Sequence, residues 1–140
     1  MVRISNFELV KLLMENARMP YTEIARRLGV SETAVRKRVR RLEREGVIRR
    51  YTVEVDLRRL GFGVQAIIGV DTLPEHYVEV VEKLKRMDEV VSLYTASGDH
   101  GILAECWLKD TGELVEVVEK MKRVKGVTRI CPAIILEKVK

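Results

Sequence analysis
The chain has 140 residues, 46% hydrophobic and 34% charged, with a formal net charge of +5. No apolar run is long enough to cross a bilayer and no secretory leader pattern opens the chain, so the expectation is one or two small soluble domains in the cytoplasm, with no membrane partner. The charge is unevenly placed: residues 1–50 hold 13 Lys/Arg against 6 Glu (+7), while residues 51–140 hold 13 Lys/Arg against 15 Asp/Glu (−2). A small basic domain expects a polyanion as partner, and a near-neutral one does not.

In the first fifty residues, Ser5 or Asn6 can cap a first helix whose apolar positions Phe7, Val10, Leu13 and Met14 recur at helical spacing up to Asn16. Pro20 can open a second helix, with Ile24, Ala25 and Leu28 as its buried face and Gly29 as its stop. Ser31 is suited to cap a third, on which Val35, Val39 and Leu42 make one apolar stripe. At about 100° per residue, the face opposite that stripe carries Thr33, Lys37 and Arg40, flanked by Arg36 and Arg41. Two short helices joined by Leu28-Gly29-Val30-Ser31 fit a helix-turn-helix, whose second helix enters the major groove with its N-terminal residues leading. Lys and Arg there can neutralise phosphates or donate to guanine, and the Thr33 methyl can touch a thymine methyl. Glu32 either accepts from cytosine or, as the commoner arrangement, favours the helix N-terminus. Arg38 falls beside the apolar stripe, where it would fix the domain internally. Gly46 ends the helix, and residues 47–51 read as a strand that places Arg49 and Arg50 at phosphates. Ser31, Thr33, Arg36, Lys37, Arg40, Arg41, Arg49 and Arg50 are therefore the candidate contacts to double-stranded DNA.

Val53 and Val55 alternate with Glu54 and Asp56, which predicts an extended, half-buried connector before the chain turns over residues 57–63. Beyond it an internal repeat sets the architecture. Val78-Glu79-Val80-Val81-Glu82-Lys83-Leu84-Lys85-Arg86 recurs as Val115-Glu116-Val117-Val118-Glu119-Lys120-Met121-Lys122-Arg123, and only Leu84 against Met121 differs. Strands are expected at residues 64–70, 90–93, 102–108 and 127–130, with the first repeat helix opening near Pro74 and the second near Asp110 or Thr111. This βαββαβ order is a ferredoxin-like split βαβ arrangement, an antiparallel sheet with both helices on one face. The expected fold class is thus α+β: a winged helix-turn-helix over residues 1–50, a connector over 51–61 and a βαββαβ domain over 62–140. Ala66, Ile67, Ile68 and Val70 are apolar on both strand parities, so a second subunit is expected to cover the other face. Cys106 and Cys131, with no CxxC or Cys/His cluster, read as small apolar strand residues. Between the second and third strands, Ser97-Gly98-Asp99-His100-Gly101 reads as a hairpin in which Asp99 caps its own turn and His100 is a surface histidine. No metal, cofactor, nucleotide or covalent catalysis is suggested anywhere in the chain.

With these residues in place, the sequence resembles the Lrp/AsnC, or feast/famine, transcription regulators over nearly its whole length. The resemblance is carried by Glu23-Ile24-Ala25, the run over residues 29–39, Leu42-Glu43, Gly46-Val47-Ile48 and Tyr51. Ser97-Gly98-Asp99-His100 and Cys131-Pro132-Ala133-Ile134-Ile135-Leu136-Glu137-Lys138 resemble archaeal members. It implies a homodimer through face-to-face C-terminal sheets of the RAM type, built into tetramers or octamers, with paired recognition helices on palindromic sites. It also implies an amino-acid effector pocket between dimers near Ser97, Gly98 and Asp99, in the loop that holds His100 and Gly101. The chain departs from the family at Gly101, where many amino-acid-binding members carry a second Asp, and at Ser5 and Glu8, where an Asp pair is common. The implied function is sequence-specific, autoregulatory transcription control in the nucleoid, by a protein that is not an enzyme. Two other readings share the scaffold. One is an architectural protein that wraps DNA through phosphates without an effector. The other is an enzyme similar to the sirohaem decarboxylases, against which stand an intact basic helix and a chain with only His76 and His100.

Overall fold
In the computed structural model, which describes residues 3–140, the chain divides into two units between Glu54 and Val55. The first unit holds three helices, α1 Asn6–Glu15, α2 Tyr21–Leu28 and α3 Glu32–Arg44. Their ends follow local chemistry. The Ser5 hydroxyl accepts from the Glu8 N–H and the Ser31 hydroxyl from the Ala34 N–H, each satisfying a donor that a helix start leaves unpaired. Gly29 closes α2 at φ 66°, a left-handed conformation that glycine adopts without steric cost, and the Val30 N–H returns to the Ala25 carbonyl. Leu9, Leu13, Met19, Ile24, Ala25, Val35, Val39 and Leu42 form the core. Burying a side chain as fully as Leu42 contributes about 1.5–3 kcal/mol.

Three expectations fail in this unit, each for a physical reason. Phe7 and Met14 do not belong to the core; they are 75% and 81% exposed. The packed face of α1 is Leu9 and Leu13, and Phe7 and Met14 lie about 140–160° round the helix from Leu9. The strand expected over residues 47–51 is absent. The Val47 and Ile48 N–H groups both return to the Leu42 carbonyl to close α3 behind Gly46, and the chain then runs on with no ladder partner among the described residues. Val53, expected to be half-buried, is 78% exposed, because alternation gives burial only where something covers one side.

The second unit opens with a turn in which the Asp56 carboxylate accepts from the Arg59 N–H. There follow β1 Val64–Thr72, a single 3-10 turn Pro74–His76, α4 Tyr77–Lys85, β2 Val90–Thr95, β3 Ile102–Leu108, α5 Thr111–Lys122 and β4 Val127–Ile134. The βαββαβ order is as expected, and the antiparallel sheet has the order β2-β3-β1-β4. Asp110 is the cap of α5, its carboxylate accepting from the Glu113 N–H. Strands β1, β2 and β4 run further than local composition suggests. β4 passes through Pro132 because that residue sits opposite Ile68 at a non-hydrogen-bonded position: the Ile135 N–H donates to the Gln65 carbonyl, so the odd-numbered residues of β1 are the bonded ones.

Period-two alternation sorts the sheet into two faces. Val64, Ala66, Ile68 and Val70 of β1 and Ile102, Ala104, Cys106 and Leu108 of β3 pack beneath the helices, against Val80 and Leu84 of α4 and Val117 and Met121 of α5. The one position at which the repeat differs, Leu84 against Met121, is fully buried in both copies, and Leu and Met exchange at nearly constant volume. Burial, with Glu89 and Glu105 nearby, pushes the Cys106 thiol up to about 11. The opposite face carries Gln65, Ile67, Gly69 and Asp71 of β1, Leu103, Glu105 and Trp107 of β3, and Arg129, Cys131 and Ala133 of β4. There Trp107 Nε1 and Gln65 Nε2 both donate to Glu105 Oε2, at 2.7 and 3.3 Å. The two cysteines therefore lie on different faces, and both are free thiols.

Candidate nucleic-acid interface and hairpin cleft
Helix α3 buries Val35, Val39 and Leu42 completely, which fixes what its other side must present. Thr33, Lys37, Arg40 and Arg44 follow one another at spacings of four, three and four along the exposed side. At about 1.5 Å per residue the row is about 16 Å long, enough to span a major groove about 12 Å wide. Lys37, Arg40 and Arg44 have no ion-pair partner among the described residues. The other candidate cations differ. Arg36 is half-buried, pairs with Glu32 at 2.7 Å and lies over the Tyr21 ring at 5.7 Å. Arg41 pairs with Glu45 at 3.0 Å. Arg38 faces inward, as its position beside the stripe suggests, and donates to the Ile4 carbonyl at 2.9 Å and to Asn6 Oδ1 at 2.7 Å, tying α3 to the start of α1.

Ser31 spends its oxygen on the cap and stands exposed at the leading end of α3. Arg49 and Arg50 are exposed on the segment behind the helix. That segment is pinned to α3 by the Tyr51 hydroxyl, which donates to Glu43 Oε2 at 3.2 Å. Partial burial and the Glu43 carboxylate push the Tyr51 hydroxyl up to about 12, so it stays a donor throughout the physiological range.

In the second unit, the β2–β3 loop is closed by the Ala96 N–H on the Gly101 carbonyl at 2.9 Å, with Gly98 at φ 113°. That backbone bond makes a side-chain cap unnecessary, and Asp99 does not supply one. It stands exposed beside exposed Ser97 and Gly98. Nor is His100 a surface histidine. Its side chain is 21% exposed, and Nδ1 lies 3.0 Å from Asp71 Oδ1, while Asp71 Oδ2 accepts from Arg129 Nε at 2.9 Å. The His100 hydrogen bond, with Arg129 behind it, holds the Asp71 carboxyl below the ordinary range.

Gly101 faces Tyr77, whose hydroxyl donates to the Gly101 carbonyl at 3.0 Å and whose ring edge lies 3.3 Å from where a Cβ would stand. An open cleft of about 400 Å³ adjoins them, lined by Val70, Asp71, Thr72, Pro74, Tyr77 and Gly101. Of the five loop residues singled out in the sequence, only Gly101 lines it. Sequence reasoning passed over Arg44, although it continues the helical spacing of Lys37 and Arg40. It also passed over Asp71, Tyr77 and Arg129, which have no local signal because strand register brings Asp71 and Arg129 together and the packing of α4 brings Tyr77 to Gly101. Among the described residues, no three His, Cys, Asp or Glu side chains gather as a metal site would require, and no helix is long and apolar enough to cross a membrane.

A family profile described as winged helix-turn-helix DNA-binding matches residues 3–49, and one described as Lrp/AsnC ligand binding domain matches residues 65–140. The chain is 49% identical over 133 residues, 94% of each chain, to the HTH-type transcriptional regulator LrpA of Pyrococcus horikoshii. Among solved structures, it is similar to E. coli AsnC, with a TM-score of 0.81 and 26% identity over 99% of this chain and 95% of that one. It is also similar to a feast or famine regulatory protein from M. tuberculosis complexed with L-methionine, with a TM-score of 0.84 and 26% identity over 96% of this chain and 92% of that one.

Proposed function
The chain belongs to the Lrp/AsnC family of DNA-binding transcription regulators, and from that premise we propose that it reads palindromic operators through the outer face of α3 and responds to a small amino acid through its C-terminal unit. The observation that carries the proposal is the row Thr33, Lys37, Arg40 and Arg44, whose cations are exposed and uncommitted on a helix held rigid by a fully buried stripe. Free guanidinium and ammonium groups on a fixed backbone can neutralise phosphates or donate to guanine, and the Thr33 methyl can meet a thymine. Arg36 and Arg41, in exposed or half-exposed pairs with Glu32 and Glu45, give up little when they turn to phosphate, since such pairs contribute about 0–1 kcal/mol. Arg49 and Arg50 add backbone contacts, and Ser31 orders the leading turn. The working location is the nucleoid.

The rest of the mechanism is bivalent. Half-buried Ile67 and Leu103 on the sheet face away from the helices support a homodimer through that face, with dimers building tetramers or octamers. Two weak heads held at a fixed separation then gain affinity without new contacts. The description of the matched C-terminal profile, the methionine held by the M. tuberculosis regulator and the cleft beside Gly101 support an amino-acid effector near Ser97, Gly98, Asp99, His100 and Gly101. With Gly101 in place of an acidic residue, the loop offers one carboxylate, Asp99, to an effector ammonium. The test is selection of genomic fragments by the purified protein at near-physiological salt, with and without the twenty amino acids. Short palindromes upstream of genes, its own included, redistributed by one amino acid, are the expected result. Evenly spread fragments with long periodic footprints would replace it with the architectural reading.

A further inference from the structure
We propose that His100 is a latch, a positioning residue whose imidazole ties the loop at residues 97–101 to the open face of the sheet. The geometry is specific on three sides. The ring lies over Gly69, where an added Cβ would collide with its Cγ and Cδ2, so the seat exists only because residue 69 has no side chain. Its Nδ1 is held by Asp71, two residues further along the same face of β1. Asp71 is held in turn by Arg129, its cross-strand partner in β4. Gly69 itself sits between Leu103 of β3 and Cys131 of β4 in the sheet register. One side chain of the loop thus rests on the central strand β1 and is linked through Asp71 to Arg129 of β4, at the face that carries Ile67 and Leu103.

The consequence is a mechanical link. Resting on the proposed function, in which an effector meets the loop and a second subunit meets the open face, His100 is the group through which a change in one alters the other. A load on residues 97–101 pulls the ring off Gly69, releases one oxygen of Asp71, and leaves the Asp71–Arg129 pair free to rearrange at the face. The neighbouring contact, Tyr77 to the Gly101 carbonyl, anchors the other end of the loop to α4 and so concentrates movement at residues 97–100.

The test uses the full-length protein and three variants: Gly69→Ala, His100→Ala and the two combined. Alanine at residue 100 ends at Cβ, so it removes the Cγ, Cδ2 and Nε2 atoms that a methyl at residue 69 would meet first. Gly69→Ala alone is expected to speed amide exchange of the loop by on the order of tenfold, while His100→Ala and the double variant stay close to each other. Equal acceleration by Gly69→Ala in both backgrounds, or none in either, would overturn the latch, since a general weakening of β1 makes no distinction between them. Sedimentation at falling concentration supplies the second arm. Gly69→Ala and His100→Ala should each weaken self-association, and the double variant should weaken it no further; faster loop exchange with unchanged self-association would overturn the link to the face. A wild-type protein that sediments as a monomer would remove the proposed dimer, while the exchange arm would still decide the latch.

Discussion

Helices α3 and α5 are built to the same inner plan and different outer ones. Each is capped by a side-chain oxygen, Ser31 or Asp110, and each buries three apolar residues, Val35, Val39 and Leu42 or Leu114, Val117 and Met121. Outside, α3 carries five Lys/Arg besides inward Arg38, against two Glu, and Lys37, Arg40 and Arg44 are uncommitted. Helix α5 carries two Lys against three Glu, and its lysines are engaged, Lys120 with Glu89 at 3.5 Å and Lys122 with Glu119 at 3.4 Å. The buried stripe decides that a helix forms and where it packs. The exposed face decides what the helix is for, and on α3 no ion pair among the described residues uses Lys37, Arg40 or Arg44.

The strongest way to break the shared inner plan is to cut its core. Leu42→Ala and Met121→Ala should each destabilise their own unit by about 2–5 kcal/mol, read as a lower midpoint in chemical denaturation. Losses below 1 kcal/mol would mean these helices are not held by their stripes. Next comes the outer contrast. Arg40→Ala should weaken binding to a selected operator by about 1–3 kcal/mol, with a smaller loss on random DNA if it reads a base, whereas Lys120→Ala should change neither. Equal losses on both DNAs would make Arg40 a phosphate contact.

The caps give a smaller effect. Ser31→Ala and Asp110→Ala should each cost about 1 kcal/mol of stability, and only the first should also weaken DNA binding, because it loosens the leading turn of α3. The mildest test is in acid. Asp71 titrates below its ordinary value in the folded chain, so its contribution is fully present above the unfolded carboxylate value and is lost as the pH falls through the folded one. The acid-unfolding profile of Asp71→Asn should lack that step; an unchanged profile would show that the His100 and Arg129 contacts do not persist in solution.

Much of this was legible because the signals were local or repeated. The duplicated Val-Glu-Val-Val-Glu-Lys segment implied both helices and the strand after each, and the 100° rotation per residue separated inward Arg38 from outward Lys37 and Arg40. Phe7 and Met14 misled because α1 has apolar residues on two sides, and periodicity alone does not say which side meets a neighbour. The strand over residues 47–51 misled because strandhood belongs to a pair of segments, and here the N–H groups of Val47 and Ile48 are taken by the end of α3. The surroundings of His100 lay beyond local reasoning altogether. Its partner is 29 residues away, and the seat on Gly69 appears only when β1, β3 and β4 are set in register.

The central claim, that the free cations of α3 meet DNA, is tested most directly by the salt dependence of operator binding in the wild type and in Lys37→Ala and Arg40→Ala. Each cation that meets a phosphate should lower the slope of log K against log salt by about one when removed, and a base-reading cation should instead lower affinity at the operator with little change of slope. Variants that match the wild type in both slope and affinity would contradict the account and move the DNA to another surface of the protein.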